Sequence, residues 1–505
     1  MESCFPIERR LTRVTPMQSS VLSYLKRSLP APVRTLASRP QDAWRALRGL
    51  QWLGGISPRL KEELQRRRQE RFLHWLQEHL PDSHFRLMTP DLDDRVRRTI
   101  IDDLSTCSYV SLVSPIGPTK RIVTDVIYVN FTSTPDALKD IISLRRVDSR
   151  LHCTLLASAA SPHSEVRQGR FDRVEFWSNH IDLAHQLMSA KARAVIAAKR
   201  GGMMFSTVVA RLFWRGRFVY RPYPFSHRDS DSIAPVNHLL AEKFILRNVD
   251  AVCHFFFGSA IDFLRRETGM TCQAVRVLPG CMPEFEPEQP LPKLSASDHC
   301  LHIAYAAGVP QRGQPVAGYL CDFMDNCRLI VSQRIHLYLF PSWLDPSSLH
   351  PDLQILSRES SYFHLEDRLP YDQLVRRLTQ YDWGLYHFRL DNYPIREGFR
   401  EFASNGFFTY LQAGLPVITS ASTPTYSKIV AEDGVGIVLG DNEFPRLSER
   451  LNAFDHEKLP MRIQRVKRRY GPDHVALYRA VFGDKSRGAG SPVGEVGVTG
   501  QSVDE

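Results

Sequence analysis

From about Ile122 onward, short apolar runs bounded by turn residues alternate with stretches whose apolar positions recur at helical spacing. The first cycle is a strand in RIVTDVIYVNF, a helix over Pro135 to Arg145, and a strand in RLHCTLLAS. Further strands are predicted at Arg173–Phe176, Ala194–Ala198, Arg217–Tyr220, Ala251–Phe255 and Ala274–Leu278. After the Pro-rich, acidic stretch that starts at Glu284, which reads as a linker, the pattern resumes. It runs through Leu301–Ala306, Ile335–Phe340, Phe363–Leu365, Trp383–Tyr386, Pro416–Ser420 and Gly436–Val438. Strands alternating with helices predict an α/β protein with two doubly wound parallel sheets.

The segment Phe402–Ser422, FASNGFFTYLQAGLPVITSAS, combines a short helix, a Gly turn and a buried strand. Phe407, Phe408 and Leu411 stand at core spacing, Gly414 suits a C-cap with positive φ, and Pro416 stops the helix. In such sheets helix N-termini point at the crevice above the strand ends, where backbone N–H groups and the helix dipole favour an anion. Here that N-terminus is Ala403-Ser404-Asn405.

This segment resembles the donor-binding stretch of the GT-B nucleotide-sugar glycosyltransferases of the group 1, family 4-like type. Ser404-Asn405, Tyr410-Leu411, Ala413-Gly414 and Pro416-Val417-Ile418 stand in register with that motif, and Glu401 falls on its first Glu. Two positions depart: Gly406 stands where the family has Lys, and Thr409 where it has the Glu that holds the donor ribose. Leu369 to Phe388 is similar to the helix-strand unit before the motif, and Leu239 to Gly280 to the end of the family's first domain. The resemblance runs from about Ile122 to Phe482 and implies two Rossmann-like domains facing a cleft, with a mostly helical extension in front. The divisions expected are 1–119 for the Arg-rich extension, 120–290 for the acceptor domain and 291–456 for the donor domain. Helices crossing back follow at 457–482, then a disordered tail at 483–505.

Composition is compatible with this reading. At 505 residues the chain suits two domains and an appendage, and 43% hydrophobic content is that of an ordinary soluble protein. No apolar run is long enough for a membrane span or a signal peptide, which predicts a cytoplasmic protein. The net charge of +10 favours anionic partners, and no nucleic-acid-binding motif accompanies it. A helix over Ser57–Leu80 joins an apolar stripe containing Phe72 and Trp75 to Arg66, Arg67, Arg68 and Arg71; it suits either packing on the domains or a peripheral contact with the anionic inner face of a membrane. Nine Cys without a CxxC pair or His-Cys clusters indicate neither a zinc site nor a disulfide framework.

Candidate chemistry gathers at the cleft. Gly308, Arg312 and Gly313 follow the first strand of the second sheet as a Gly-rich turn with a basic side chain for a diphosphate. Ser404, Asn405 and Thr409 complete the donor-binding set, and Glu401 and His227 are the catalytic candidates. His227 and Asp229 follow the Arg217–Tyr220 strand; the family's His lies nearer that strand, where this chain has Arg221-Pro222. His180, Asp182 and His185 form another group, open to a plain helix-start reading. The resemblance implies a retaining, metal-independent glycosyltransferase whose nucleotide sugar is a co-substrate, with no cofactor. Its acceptor would be a saccharide or lipid-linked glycan in bacterial surface-polysaccharide assembly. Loss of both family contacts at Gly406 and Thr409 keeps two alternatives open: a catalytically silent glycan- or partner-binding subunit, and a sugar-nucleotide epimerase of similar fold.

Overall fold

The computed structural model describes residues 70, 74, 89–101, 121–130, 134–158, 170–177, 180–198, 204–222, 236–257, 260–308, 319–341, 349–386, 403–440 and 442–483. The chain divides into two units, Met1–Trp75 and Leu76–Glu505, and both sheets belong to the second. Apart from Glu70 and His74, which are helical, the Ser57–Leu80 helix lies outside the described residues. So do most of the 1–119 extension and all of the tail after Gly483.

The first sheet contains β1 (Val126–Asn130), β2 (Cys153–Ser158), β3 (Arg173–Trp177), β4 (Ala194–Ala198), β5 (Arg217–Arg221), β6 (Ala251–His254) and β7 (Gln273–Arg276), in the order β3-β2-β1-β4-β5-β6-β7. The second contains β8 (His302–Tyr305), β9 (His336–Leu339), β10 (Phe363–Leu365), β11 (Trp383–Tyr386), β12 (Val417–Ser420) and β13 (Gly436–Leu439), in the order β10-β9-β8-β11-β12-β13. Every pairing is parallel. The inner strands VIYVN and AVIAA are buried throughout, as strands covered on both faces must be. Strand order reverses at β1/β4 and at β8/β11, and ligands of such sheets enter above the strand C-termini at these reversals.

β1 starts later than the apolar run suggests. Thr124 and Asp125 hold the neighbouring loop instead, with Thr124 Oγ1 donating to the His152 carbonyl at 2.7 Å and His152 N donating to Asp125 Oδ2 at 2.9 Å.

Six helices matter for the site: α1 (Pro135–Val147), α2 (Tyr371–Leu378), α3 (Asn405–Gln412), α4 (Pro424–Asp433), α5 (Leu459–Arg469) and α6 (His474–Phe482). α1 opens on Thr134, whose side chain accepts from Ala137 N, with Pro135 and Asp136 in the first turn and Arg145 and Arg146 in the last. The C-terminal helices divide between the sheets. α5 packs on α3 and α4, whereas α6 inserts Leu477, Tyr478, Ala480 and Val481 into the core under the first sheet. The connection between them passes so close to the end of the first domain that a Cβ at Gly280 would lie 1.9 Å from the Tyr470 carbonyl oxygen. Only glycine fits there.

Candidate functional site

α3 connects β11 to β12, so its N-terminus rises at the β8/β11 reversal. The Ser404 side chain caps it by accepting from Gly406 N at 3.1 Å, and Ser404 N donates to the Tyr426 hydroxyl at 2.7 Å. Tyr410, one turn further on, accepts from Ala306 N at 2.6 Å and donates to the Leu385 carbonyl at 2.9 Å. That phenol therefore locks α3 onto the C-terminal ends of β8 and β11 together. The fit requires Gly384, because a Cβ there would lie 2.3 Å from the Tyr410 ring.

From Ala403 to Ala413 every residue is buried except Gly406. The first turn of α3 is thus open at one place, the position where the family motif has Lys. A Cβ at Gly406 would lie 3.1 Å from the Tyr386 ring, and Phe407 and Tyr426 pack edge-on against that ring. On the β8 side, Gly308 is exposed, its carbonyl accepts from the Tyr305 hydroxyl at 2.7 Å, and a Cβ there would meet nothing within 4 Å. Gly308 thus follows the C-terminal end of β8, and Ser404 and Asn405 start the helix that Tyr410 fastens to β8 and β11.

The side chains at the start of α3 are largely committed. Asn405 Oδ1 accepts from Lys139 Nζ at 2.6 Å. Thr409 Oγ1 donates to the Asn405 carbonyl at 2.8 Å, and the residue is buried beside Tyr371 of α2. Its hydroxyl is therefore spent within the helix, as Thr hydroxyls often are. Because Ser404 already takes the Gly406 N–H, what the start of α3 presents at Gly406 is the helix dipole.

Lys139 comes from α1 of the first domain and is fully buried. Its ammonium donates to the carbonyls of Pro279 at 2.9 Å and Gly280 at 2.8 Å as well as to Asn405, and it lies 5.2 Å from the centre of the Tyr371 ring. Burial pulls its pKa down to about 8, against the opposing pull of Cys281, Asp136 and Asp140. Neighbouring bonds close the same seam: Ala403 N to the Phe255 carbonyl at 3.0 Å, Met282 N to Gln412 Oε1 at 2.7 Å, and the Cys281 thiol to the Phe408 carbonyl at 3.4 Å. The start of α3 is held by both domains.

Arg221 ends β5 but does not face the cleft. Its guanidinium forms a fork on Asp140, 3.0 Å to Oδ2 and 2.9 Å to Oδ1, donates to the Val277 carbonyl at 3.1 Å, and covers the Phe255 ring. Tyr128 adds a third donor to Asp140 at 3.0 Å. Burial pushes the Asp140 carboxyl up and Arg221 opposes it. The Arg at the family's His position is a structural cation.

Of the group His180, Asp182 and His185, the Asp182 carboxylate acts on His185, opposing the effect of burial. His180 Nε2 lies 2.8 Å from Ser206 Oγ, Asp182 accepts from Gln186, and burial lowers the pKa of His185. Arg312, Gly313, Glu401, His227 and Asp229 lie outside the described residues. No helix among the described residues is long and apolar enough to cross a membrane.

Lys139, Asp140 and Tyr371 were not foreseen from the sequence as parts of this region. The one available signal was a Lys-Asp pair inside an otherwise apolar helix, at Leu138-Lys139-Asp140-Ile141-Ile142.

No family model and no curated protein matches the chain. Solved structures do. Anabaena HepE in complex with UDP-glucose aligns over 70% of this chain and 97% of its own, with a TM-score of 0.52 and 11% identity. The same protein with UDP and glucose gives 0.51 and 12% over the same shares. A Staphylococcus aureus MnaA–UDP structure aligns over 71% of this chain and 94% of its own, at 0.46 and 14%. The two sheets, their strand orders and the HepE alignments define the architecture: the chain has the GT-B fold of the nucleotide-sugar glycosyltransferases.

Proposed function

We propose that the chain is a glycosyltransferase that takes a sugar from a nucleotide-sugar donor. The observation that carries this reading is the partly exposed first turn of α3 at Gly406, in a helix fastened at the strand-order reversal of the second sheet, where exposed Gly308 follows β8. The helix dipole there suits a diphosphate. In this reading Arg312 and Gly313 close over the diphosphate, Ser404 and Asn405 shape the helix start, and Thr409 backs the ribose side. Glu401 faces the sugar, and His227 serves the acceptor hydroxyl.

The cation lost at Gly406 is replaced from behind. The Lys139 ammonium sits at the positive end of α3, where two positive potentials add in a buried setting and an arriving anion relieves both. Charge develops on the diphosphate as the glycosidic bond breaks, so a preorganised cation at that end stabilises the transition state more than the ground state. HepE, crystallised with UDP-glucose, supports a UDP-hexose as the first donor to try. A saccharide or lipid-linked acceptor of a surface glycan, retention of configuration, independence of metal and a peripheral membrane contact through the Arg-rich extension complete the proposal.

A second reading has an observation in its favour: Tyr386 occupies the approach to Gly406, and Thr409 turns its hydroxyl inward. A silent glycan-binding subunit would tolerate both. Release of nucleoside diphosphate from a panel of UDP-, GDP- and CMP-sugars, with and without pooled oligosaccharide acceptors, separates the readings. Acceptor-dependent release supports transfer, acceptor-independent conversion of the donor points to an epimerase, and no conversion favours the silent subunit.

A further inference from the structure

The other end of the second sheet carries a separate constellation. His302 and His336 are the first residues of β8 and β9, and the parallel register pairs them directly. Their rings stack at 4.7 Å with an interplanar angle of 4°. Asp298 ends the short helix Ser295–Asp298, and His299, with φ of 60°, turns the chain so that the Asp298 carboxylate returns over the two rings. Both its oxygens lie 3.0 Å from His302 Nε2, and Oδ2 lies 3.8 Å from His336 Nε2.

The outward ring nitrogens are already engaged. His302 Nδ1 is 3.2 Å from the Tyr338 hydroxyl, and His336 Nδ1 is 2.9 Å from His364 Nε2. Cys300 N donates to Asp298 Oδ1 at 2.9 Å and orients the carboxylate. Both ring contacts orient the imidazoles and keep Nδ1 engaged, so that Nε2 of each is the nitrogen directed toward Asp298. Among the described residues, this is the one group of three His, Cys, Asp or Glu side chains whose ligand atoms all lie within 4.8 Å of one another.

We propose that Asp298, His302 and His336 form a structural Zn²⁺ site, with water as the fourth ligand. Two imidazoles and one carboxylate are the donor set of a borderline cation rather than of Mg²⁺ or Ca²⁺. Bonds of about 2.0–2.1 Å in a tetrahedron put neighbouring ligand atoms about 3.4 Å apart, which the nitrogen–oxygen distances of 3.0 and 3.8 Å bracket. The two stacked rings tilt toward each other on binding to aim both Nε2 lone pairs at the ion. His302 is buried, whereas Asp298 reaches solvent and gives the ion an entry path. The site lies at the strand N-termini, so it stands apart from the nucleotide crevice at their C-termini. Its role is to pin the Ser295–Asp298 turn, where the chain enters the second domain, to β8 and β9. No ligand motif marks it along the chain, because its members are joined by strand register.

The test is Zn²⁺ titration of the full chain, prepared without a polyhistidine tag and stripped with a chelator. The wild type is expected to take up one more equivalent of Zn²⁺ than Asp298→Asn and than His336→Gln, and to melt at a higher temperature with Zn²⁺ where the variants do not. Co²⁺ should give the visible d–d absorption of a tetrahedral site, absent in both variants. Tyr338→Phe should weaken binding by about tenfold. Equal uptake by wild type and either folded variant, or no rise in melting temperature of the wild type with Zn²⁺, overturns the proposal. The wild-type melting shift decides even if a variant does not fold.

Discussion

The ammonium of Lys139, in the first domain, sits 2.6 Å from Asn405 Oδ1, at the start of helix α3 of the second. A charge buried at a domain seam couples folding to the relation between the domains and, on the proposed function, to the anion bound at α3.

The first consequence is a pH dependence of stability. Lys139 has a folded pKa of about 8 against an ordinary 10.5, lowered mainly by burial. Between these values the unfolded chain binds more protons than the folded one, so this group adds stability as pH rises through that window and disfavours folding below it. Urea denaturation at pH 7.5 and 9.5 should show a gain with pH in the wild type that is about 2 kcal/mol smaller in Lys139→Met. An identical pH response in the two proteins contradicts the assignment.

Anion binding has the opposite sign. A diphosphate at α3 favours the protonated ammonium, so donor affinity should fall as pH rises through about 8. In Lys139→Met, calorimetry with UDP should find weaker binding at neutral pH and a flattened dependence. Unaltered affinity in that variant would detach Lys139 from the crevice.

Arg221 and Asp140 make a second buried pair, and removing one partner strands the other. Asp140→Ala should cost about 3–5 kcal/mol, and the double variant Asp140→Ala/Arg221→Met should recover much of that loss. Both values come from urea titration. Equal stability of the single and double variants would mean that the pair is not coupled.

Gly406 separates binding from folding. A carboxylate in the first turn of a helix is favourable by about 0.3–1 kcal/mol, and the tight approach of Tyr386 offsets part of this. Gly406→Asp should therefore melt close to the wild type yet bind no nucleotide, because its charge repels the diphosphate. Retained binding would place the nucleotide elsewhere.

The sheets were legible because their inner strands are continuous apolar runs and Gly414 and Pro416 punctuate the helix-strand turn; Gly414 has a φ of 79°. Helix α3 was legible through Phe407, Phe408 and Leu411 at core spacing. The commitments of its side chains were not. Thr409 and a ribose-binding Glu can share a position in a motif, but the Thr hydroxyl donates to the Asn405 carbonyl of its own helix and lies beside Tyr371. Nor could spacing show that Arg221 meets Asp140, or that Lys139 reaches Asn405, since these contacts join elements distant in the chain. The sequence separated a helix over about Glu457–Arg469 from a Pro472–Phe482 segment, and the resemblance implied that both cross back. In the structure α5 stays on α3 and α4 while α6 reaches the core of the first sheet.

The central claim is that the crevice at Gly406 and Gly308 holds a nucleotide sugar. Isothermal calorimetry of the full chain against UDP-, GDP- and CMP-sugars tests it most directly. The account predicts saturable binding to at least one donor, weakened by about 1.5–3 kcal/mol in Arg312→Ala and abolished in Gly406→Asp. No binding across the panel, from a protein that still binds glycan, would contradict it.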